Sequence, residues 1–254
     1  MNKLTKSVLA LAATTLSFGV FADVEREFSE TYNFSSNGTV RVENINGNIK
    51  LEGWDRDQIQ LEYTASADDK DDLERIEVEI DASSSHFSVD VEFKKKSSWF
   101  GGWNGSSGEV EFRLKVPHEV VLKMIDSVNG NVAISDVYGD IKAETVNGKV
   151  KIENAGSDVS VDTVNGDVKI VMQQFKGDQR IKSESVNGDI EVYLPENEGF
   201  RLDAETLNGD LSNDFGIEVE EGKYVGADME GRYKSGNARL LFDTVNGDIE
   251  VRKD

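Results

Sequence analysis

The sequence predicts an all-β fold: a β-solenoid of stacked Val-Asn-Gly-Asp repeats, closed by irregular N- and C-terminal caps. Three observations predict it. The pentapeptide apolar-Asn-Gly-(Asp, Asn or Lys)-apolar occurs seven times, beginning at Ile45, Val128, Val146, Val164, Val186, Leu207 and Val245. Its central copies recur at an even interval, 18 residues from Val128 to Val146 and 18 again to Val164, then 22 and 21, which marks one structural unit repeated along an axis. Apolar and polar residues alternate around each copy, as in Val168-Lys169-Ile170 and Ile190-Glu191-Val192. This is the period of a strand with one buried face. No long amphipathic helical pattern competes with it.

In chain order, Met1 to Ala22 has the form of a secretory signal: Lys3 and Lys6, a short apolar stretch to Phe21, and a small-residue cleavage site at Val20-Phe21-Ala22. Thr14, Thr15 and Ser17 dilute the stretch below what a membrane anchor needs. No other long apolar run follows, so the mature chain carries no transmembrane segment. Residues 23–254 then form one domain, with an irregular β half over 23–117 and the regular repeats over 118–254. In the irregular half, Val40 to Val42, Ile49 to Leu51, Ile59 to Tyr63, Ile76 to Ile80, Phe87 to Phe93 and Val110 to Val116 read as strands. Asp68 to Asp72 reads as an acidic turn, and Pro117 as punctuation before the regular stack. Asp214 to Asn237 interrupts the repeats before the last copy resumes them. These irregular segments are the natural covers for the ends of a stack.

Aligned on Asn-Gly, the repeat is longer than five residues. Two positions before the first apolar residue stand Glu43, Asp126, Glu144, Asp162, Glu184, Glu205 and Asp243, acidic every time. A half-step variant, Val137-Tyr138-Gly139-Asp140-Ile141, lies nine residues from its neighbours. Two strands and two turns per 18 residues make one coil, with Val159 and Val161 facing inward on one side, Val168 and Ile170 on the other, and Asn above Asn at about 4.8 Å. Asn-Gly between alternating strands is also a hairpin signal, with positive φ at the turn. In that arrangement Val161 opposes Ile170 and Asp162 opposes Lys169. Whole coils repeat more faithfully than half-coils, which favours the solenoid.

A strand, Asn-Gly-Asp-type turns, the Val116-Pro117 break and serial Val-Asn-Gly-Asp copies resemble the bacterial putative-adhesin, or toast-rack, domains. The resemblance runs from about Glu25 to the C-terminus. It implies a right-handed β-helix-like solenoid at the cell envelope and links to adhesion and envelope stress, and it supplies no catalytic residues.

Composition narrows the function. The net charge is −21, with 49 acids against 28 bases, and loss of a signal bearing two lysines makes it more negative. Such a field repels nucleic acid and anionic lipid and favours cations or cationic partners. There is no cysteine, so an exported fold rests on its core and hydrogen-bond ladders. His86 and His118, the two histidines, stand in no metal-ligand spacing. No cofactor is implied. Asp167, Asp189, Asp210 and Asp248 follow the repeated Gly and raise the alternative of a calcium-stabilised structural protein. A polysaccharide-active β-helix enzyme is the other alternative. The localised binding candidate is the segment from Lys94 to Gly105, where Lys94, Lys95 and Lys96 stand beside Trp99, Phe100 and Trp103, a pairing suited to glycans, a partner groove or a surface. The sequence therefore predicts an exported, non-enzymatic, adhesin-like binding or scaffold protein of the bacterial envelope. The expected place is extracytoplasmic: the periplasm first, the cell surface or medium otherwise. The expected partner is an envelope protein or glycan.

Overall fold

A computed structural model describes residues 24–94, 108–222 and 225–254. The chain is all-β, with two large, mostly parallel sheets of 10 and 11 strands packed face to face and no closed barrel. The one helix among the described residues is the single turn Lys70–Leu73, where the Asp69 carboxylate accepts the Asp72 N–H at 2.8 Å. The acidic turn read at Asp68 to Asp72 is thus a short capped helix, because Asp at an N-cap satisfies an otherwise free amide.

Each repeat contributes one strand to each sheet. Ile141–Asn147 lies in the 11-stranded sheet and Val150–Ala155 in the 10-stranded one, joined across Asn147-Gly148. The next coil repeats this with Val159–Asn165 and Val168–Met172. Pairing is between coils: Val161 sits beside Ala143 and Ser183, and Asp162 beside Glu144 and Glu184. The hairpin arrangement, with Val161 opposite Ile170, does not occur. Inward residues make four apolar columns. Val150, Val168, Ile190 and Ile249 form part of one, and Val159, Ile181, Leu240 and Leu202 part of another, all fully or almost fully buried.

The order in space departs from the order in sequence. The final strands, Ala238–Asn246 and Ile249–Lys253, lie between the copy that begins at Val186 and the copy that begins at Leu207. Asp214 to Asn237 is long enough to carry the chain past the end of the stack and back. On the way it lays Ala227–Tyr233 antiparallel along Phe200–Asn208, and Phe200, Phe215 and Tyr233 cluster over that end with ring centroids 4.9–5.5 Å apart. At the opposite end Val24–Asn33, Gln58–Ala67 and Glu109–Pro117 make an antiparallel cover, with Phe28 stacked on Tyr63 at 4.9 Å. Antiparallel strands thus cap both sheets at the N-terminal end and the 11-stranded sheet at the other end, where the 10-stranded sheet finishes on the parallel strand Leu211–Asn213.

The repeated Gly has a different cause from the one the hairpin signal suggests. Gly47 alone among the seven is well inside the left-handed region, at φ 110°, while Gly188 and Gly247 at 159° are close to extended. The shared constraint is close approach. A Cβ on Gly130, Gly148, Gly166, Gly188 or Gly247 would overlap the carbonyl oxygen of the glycine one coil away. The preceding Asn completes the lock. Its Nδ2 donates to the Oδ1 of the Asn in the adjoining coil, from Asn129 to Asn46 (2.8 Å), Asn147 to Asn129 (2.9 Å), Asn165 to Asn147 (2.9 Å), Asn187 to Asn165 (2.9 Å), Asn246 to Asn187 (2.8 Å) and Asn208 to Asn246 (3.0 Å). The stacked asparagines expected from sequence are present in all seven copies.

Gly166→Val is expected to destabilise the chain by about 1–3 kcal/mol through overpacking against Gly148. Gly177→Ala, whose added Cβ would meet only the Glu198 carboxylate at 3.6 Å, is expected to change stability by less than about 0.5 kcal/mol. Urea titrations followed by circular dichroism check both, and equal midpoints for the two variants would contradict the glycine ladder.

Candidate binding face

Strand parity decides which repeat residues meet solvent. In Thr-Val-Asn-Gly-Asp the Thr (Ser or Asn in some copies) points inward, and its hydroxyl reaches a glycine carbonyl of the next coil: Thr145 to Gly130 at 3.1 Å, Thr244 to Gly188 at 3.2 Å and Thr206 to Gly247 at 2.9 Å. The buried hydroxyls of Thr163 and Ser185 find no partner. Where the residue after Gly is Asp or Asn, its side-chain oxygen accepts the backbone N–H of its counterpart one coil away, as from Asp189 to Asp167 (3.3 Å), Asp248 to Asp189 (2.9 Å) and Asp210 to Asp248 (2.7 Å). Asp167, Asp189 and Asp248 thus each commit one oxygen to the coil-to-coil ladder. Among the described residues no three His, Asp or Glu side chains converge into a metal-holding group.

The first apolar residue of the motif faces out. Ile45, Val128, Val146, Val164, Val186, Val245 and Leu207 are 36–49% exposed, and they follow one another in neighbouring strands of the 11-stranded sheet. At about 4.8 Å per strand they form an apolar row about 29 Å long. The pattern of the repeat alone did not separate these residues from the core. The signal was available: Val161 is inward, so Val164, an odd number of residues on, is outward.

Two residues back on the same face runs a row of carboxylates. Across the whole sheet the register aligns Glu79, Asp90, Glu43, Asp126, Glu144, Asp162, Glu184, Asp243, Glu205, Asp228 and Glu220. Cations two residues earlier neutralise some of them: Arg41 pairs with Glu43, Lys142 with Glu144 at 2.6 Å and Lys182 with Glu184 at 2.7 Å. Asp126, Asp162, Asp243 and Glu205 have no ion pair of this kind. Desolvation, followed by neighbouring carboxylates, holds all four above the ordinary carboxylate range, although Glu205 is exposed, and Lys182 moderates the effect at Asp162 and Asp243 as Arg41 and Lys142 do at Asp126. The outer face of the 10-stranded sheet is balanced by comparison, with Lys151 paired to Glu153 at 2.8 Å, Lys169 to Glu191 at 3.2 Å and Arg252 to Glu250 at 2.9 Å.

Of the residues singled out by sequence, Trp99, Phe100, Trp103, Lys95 and Lys96 lie outside the described residues. Lys94 is described. It follows the strand His86–Phe93 of the 11-stranded sheet, four residues beyond Asp90 of the acidic row, and pairs with Glu77. Its backbone carbonyl accepts from Arg75 Nε at 2.7 Å. His118 donates from Nδ1 to the Asp136 carbonyl at 2.6 Å and stacks on Tyr138 at 5.0 Å. His86 lies 3.1 Å from the Thr39 hydroxyl. His118 holds a turn, and the His86 backbone carbonyl accepts the Ser83 N–H of the turn before its strand at 2.8 Å.

A family model described as Toastrack DUF4097 matches residues 124–252. The chain belongs to the Toastrack DUF4097 family. The match covers the regular coils and the C-terminal insertion, which are the parts that build most of the apolar and acidic rows. No curated protein matches the chain. Among solved structures, a "putative cell adhesion protein" from Clostridium sporogenes is 14% identical, over 92% of this chain and 100% of that one, with a TM-score of 0.46. A "putative adhesin" from Bacteroides fragilis is also 14% identical, over 89% of this chain and 97% of that one, with a TM-score of 0.44.

The raised carboxylates give the Toastrack chain a defined pH response. From neutral pH downward the folded state binds protons at Asp126, Asp162, Asp243 and Glu205 before the unfolded state does, so stability rises as pH falls toward the ordinary values of 3.8 and 4.5. Asp167 and Glu196 act oppositely. Lys149 and Lys253 hold them low, so their contribution disappears only in more acid solution. The melting temperature is expected to peak on the acid side of neutrality. At pH 7, Asp162→Asn is expected to stabilise by about 0.5 kcal/mol by removing one like-charge neighbour. Calorimetry across pH 4 to 8 checks both, and a melting temperature that falls steadily from pH 7 downward would contradict them.

Proposed function

We propose that the chain is an exported, non-enzymatic, adhesin-like binding and scaffold protein of the bacterial envelope, which holds its partner against the outer face of the 11-stranded sheet. The observation that carries this reading is the unbroken exposed apolar row lying beside an under-neutralised acidic row. The other positions of the repeat serve the coil itself, through the inward hydroxyl, the Asn ladder, the close-packed Gly and the post-Gly oxygen. The outward Val has no such role inside the coil. A long exposed apolar feature rimmed by charge marks an interaction surface. Its chemistry selects a cationic, partly apolar partner surface on an envelope protein, drawn in by the net charge of −21.

The Met1 to Ala22 segment supports export, and membership of the Toastrack family supports a binding role without catalysis. No helix among the described residues is long and apolar enough to cross a membrane. The Trp99–Trp103 segment, with Lys94, Lys95 and Lys96 before it, is the second contact in this reading, because it sets aromatic rings beside positive charge in the sequence.

The purified mature protein is expected to co-sediment with its own envelope fraction, and added salt is expected to release it. Val146→Ser, Val164→Ser and Val186→Ser combined, and separately Trp99→Ala with Trp103→Ala, are expected to reduce the bound fraction while the far-ultraviolet spectrum stays that of a sheet protein. Undiminished binding by the triple serine variant would sink the reading.

A further inference from the structure

On the same outer face, beyond the acidic row and away from the valines, four arginines lie side by side. Arg180 is in register with Arg239, Arg239 with Arg201, and Arg201 with Arg232. All four are exposed. They come from four successive strands, so the row spans about 14 Å. Among the described residues none of the four side chains forms an ion pair, although acids outnumber bases 49 to 28. Elsewhere on this sheet Arg41, Lys142 and Lys182 all find a carboxylate two residues away. Here the carboxylates two residues away are Asp178, before Arg180, and Asp203 and Glu230, which face each other one step further along the strands, and none of the three forms an ion pair with the arginines.

Four arginines in register with no ion pair among the described residues oppose like charges across every strand pair, which is unfavourable. Folding provides no return for that arrangement, but an anion would. Arg201, Arg232 and Arg239, with Asp203, Glu230 and Leu241, border an open depression of about 690 Å³, which leaves the charged ends accessible.

We propose that the Arg180–Arg239–Arg201–Arg232 row is a binding site for a polyphosphorylated ligand. The guanidinium fork matches phosphate oxygens two at a time. Four such forks along about 14 Å call for a ligand with several phosphoryl groups, each carrying up to two charges and three acceptor oxygens. Asp203 and Glu230 flank the row and discourage a diffuse polyanion from spreading onto the rest of the face. The site is separate from the apolar and acidic rows and uses none of their residues.

Isothermal titration of the mature protein with inorganic tripolyphosphate is the direct test. Binding is expected in low salt and is expected to weaken about tenfold in Arg201→Gln and again in Arg239→Gln, the loss of a charge-assisted bond in each case. Arg239→Lys, which keeps the charge and loses the fork, is expected to fall between. Thermal melts should show the Gln variants at least as stable as the wild type, because they relieve repulsion; a purely structural row would give the reverse. Two further arms assign the source of the phosphoryl groups: vesicles of phosphatidylcholine with phosphatidate, and a soluble phosphorylated oligosaccharide. Arginine-dependent binding in either arm supports the site and names its source. Absence of binding in all three arms, or binding indifferent to Arg201 and Arg239, overturns it. The triple valine variant should bind tripolyphosphate like the wild type, so this site and the apolar face can fail independently.

Discussion

The whole molecule depends on how closely one Asn-Gly corner approaches the next. A glycine carbonyl sits where a neighbouring Cβ would be, and an asparagine amide bridges to the asparagine above and below. Side-chain bonds of this kind recur at every coil and fix register absolutely, since a slip of one residue would turn every side chain to the opposite face. The apolar columns, the inward hydroxyls and the post-Gly oxygens all follow from that registration. Hydrophobic burial between the two sheets supplies the bulk of the stabilisation, and the Asn-Gly corners decide which arrangement receives it.

In-register stacking has a consequence for charge. Whatever occupies one position of the repeat becomes a row, and rows of like charge repel. The 10-stranded sheet avoids this by mixing lysine and glutamate along and between strands. The 11-stranded sheet does not: it carries a carboxylate at the same position of all its strands, relieved by a cation at only some of them. Partial burial of Asp126, Asp162 and Asp243 adds to the cost. Departures from local stability are concentrated on one face, beside a row of exposed valines and a row of arginines that form no ion pair among the described residues, and the proposed binding role of that face rests on this concentration. The other face is ordinary solvated surface.

The stack also explains why the ends look as they do. Parallel coils leave open edges, and open edges recruit other strands. Aromatic side chains and antiparallel strands close both ends here. The excursion from Asp214 to Asn237 lets the final copy insert beside the copy that begins at Val186. That insertion places Arg239 between Arg180 and Arg201 and Val245 between Val186 and Leu207, so the C-terminal insertion completes both the arginine row and the apolar row.

Period and spacing along the chain were enough to establish the class of fold, the coil length, the inward columns such as Val159 and Val161, and the vertical stacking of asparagines. These are local properties, and any window of two coils contains them. Composition likewise established the charge, and the motifs the family. The identity of the exposed valines was legible in principle from parity alone, since Val164 stands an odd number of residues from buried Val161. Three features needed the folded molecule. The cause of the repeated Gly is contact between coils rather than the φ of a turn. The order of the last two copies depends on which edge the returning chain meets. The arginine row joins residues 180, 201, 232 and 239, which share no motif and no regular spacing, because strand register across a sheet is a long-range property that no window along the sequence contains.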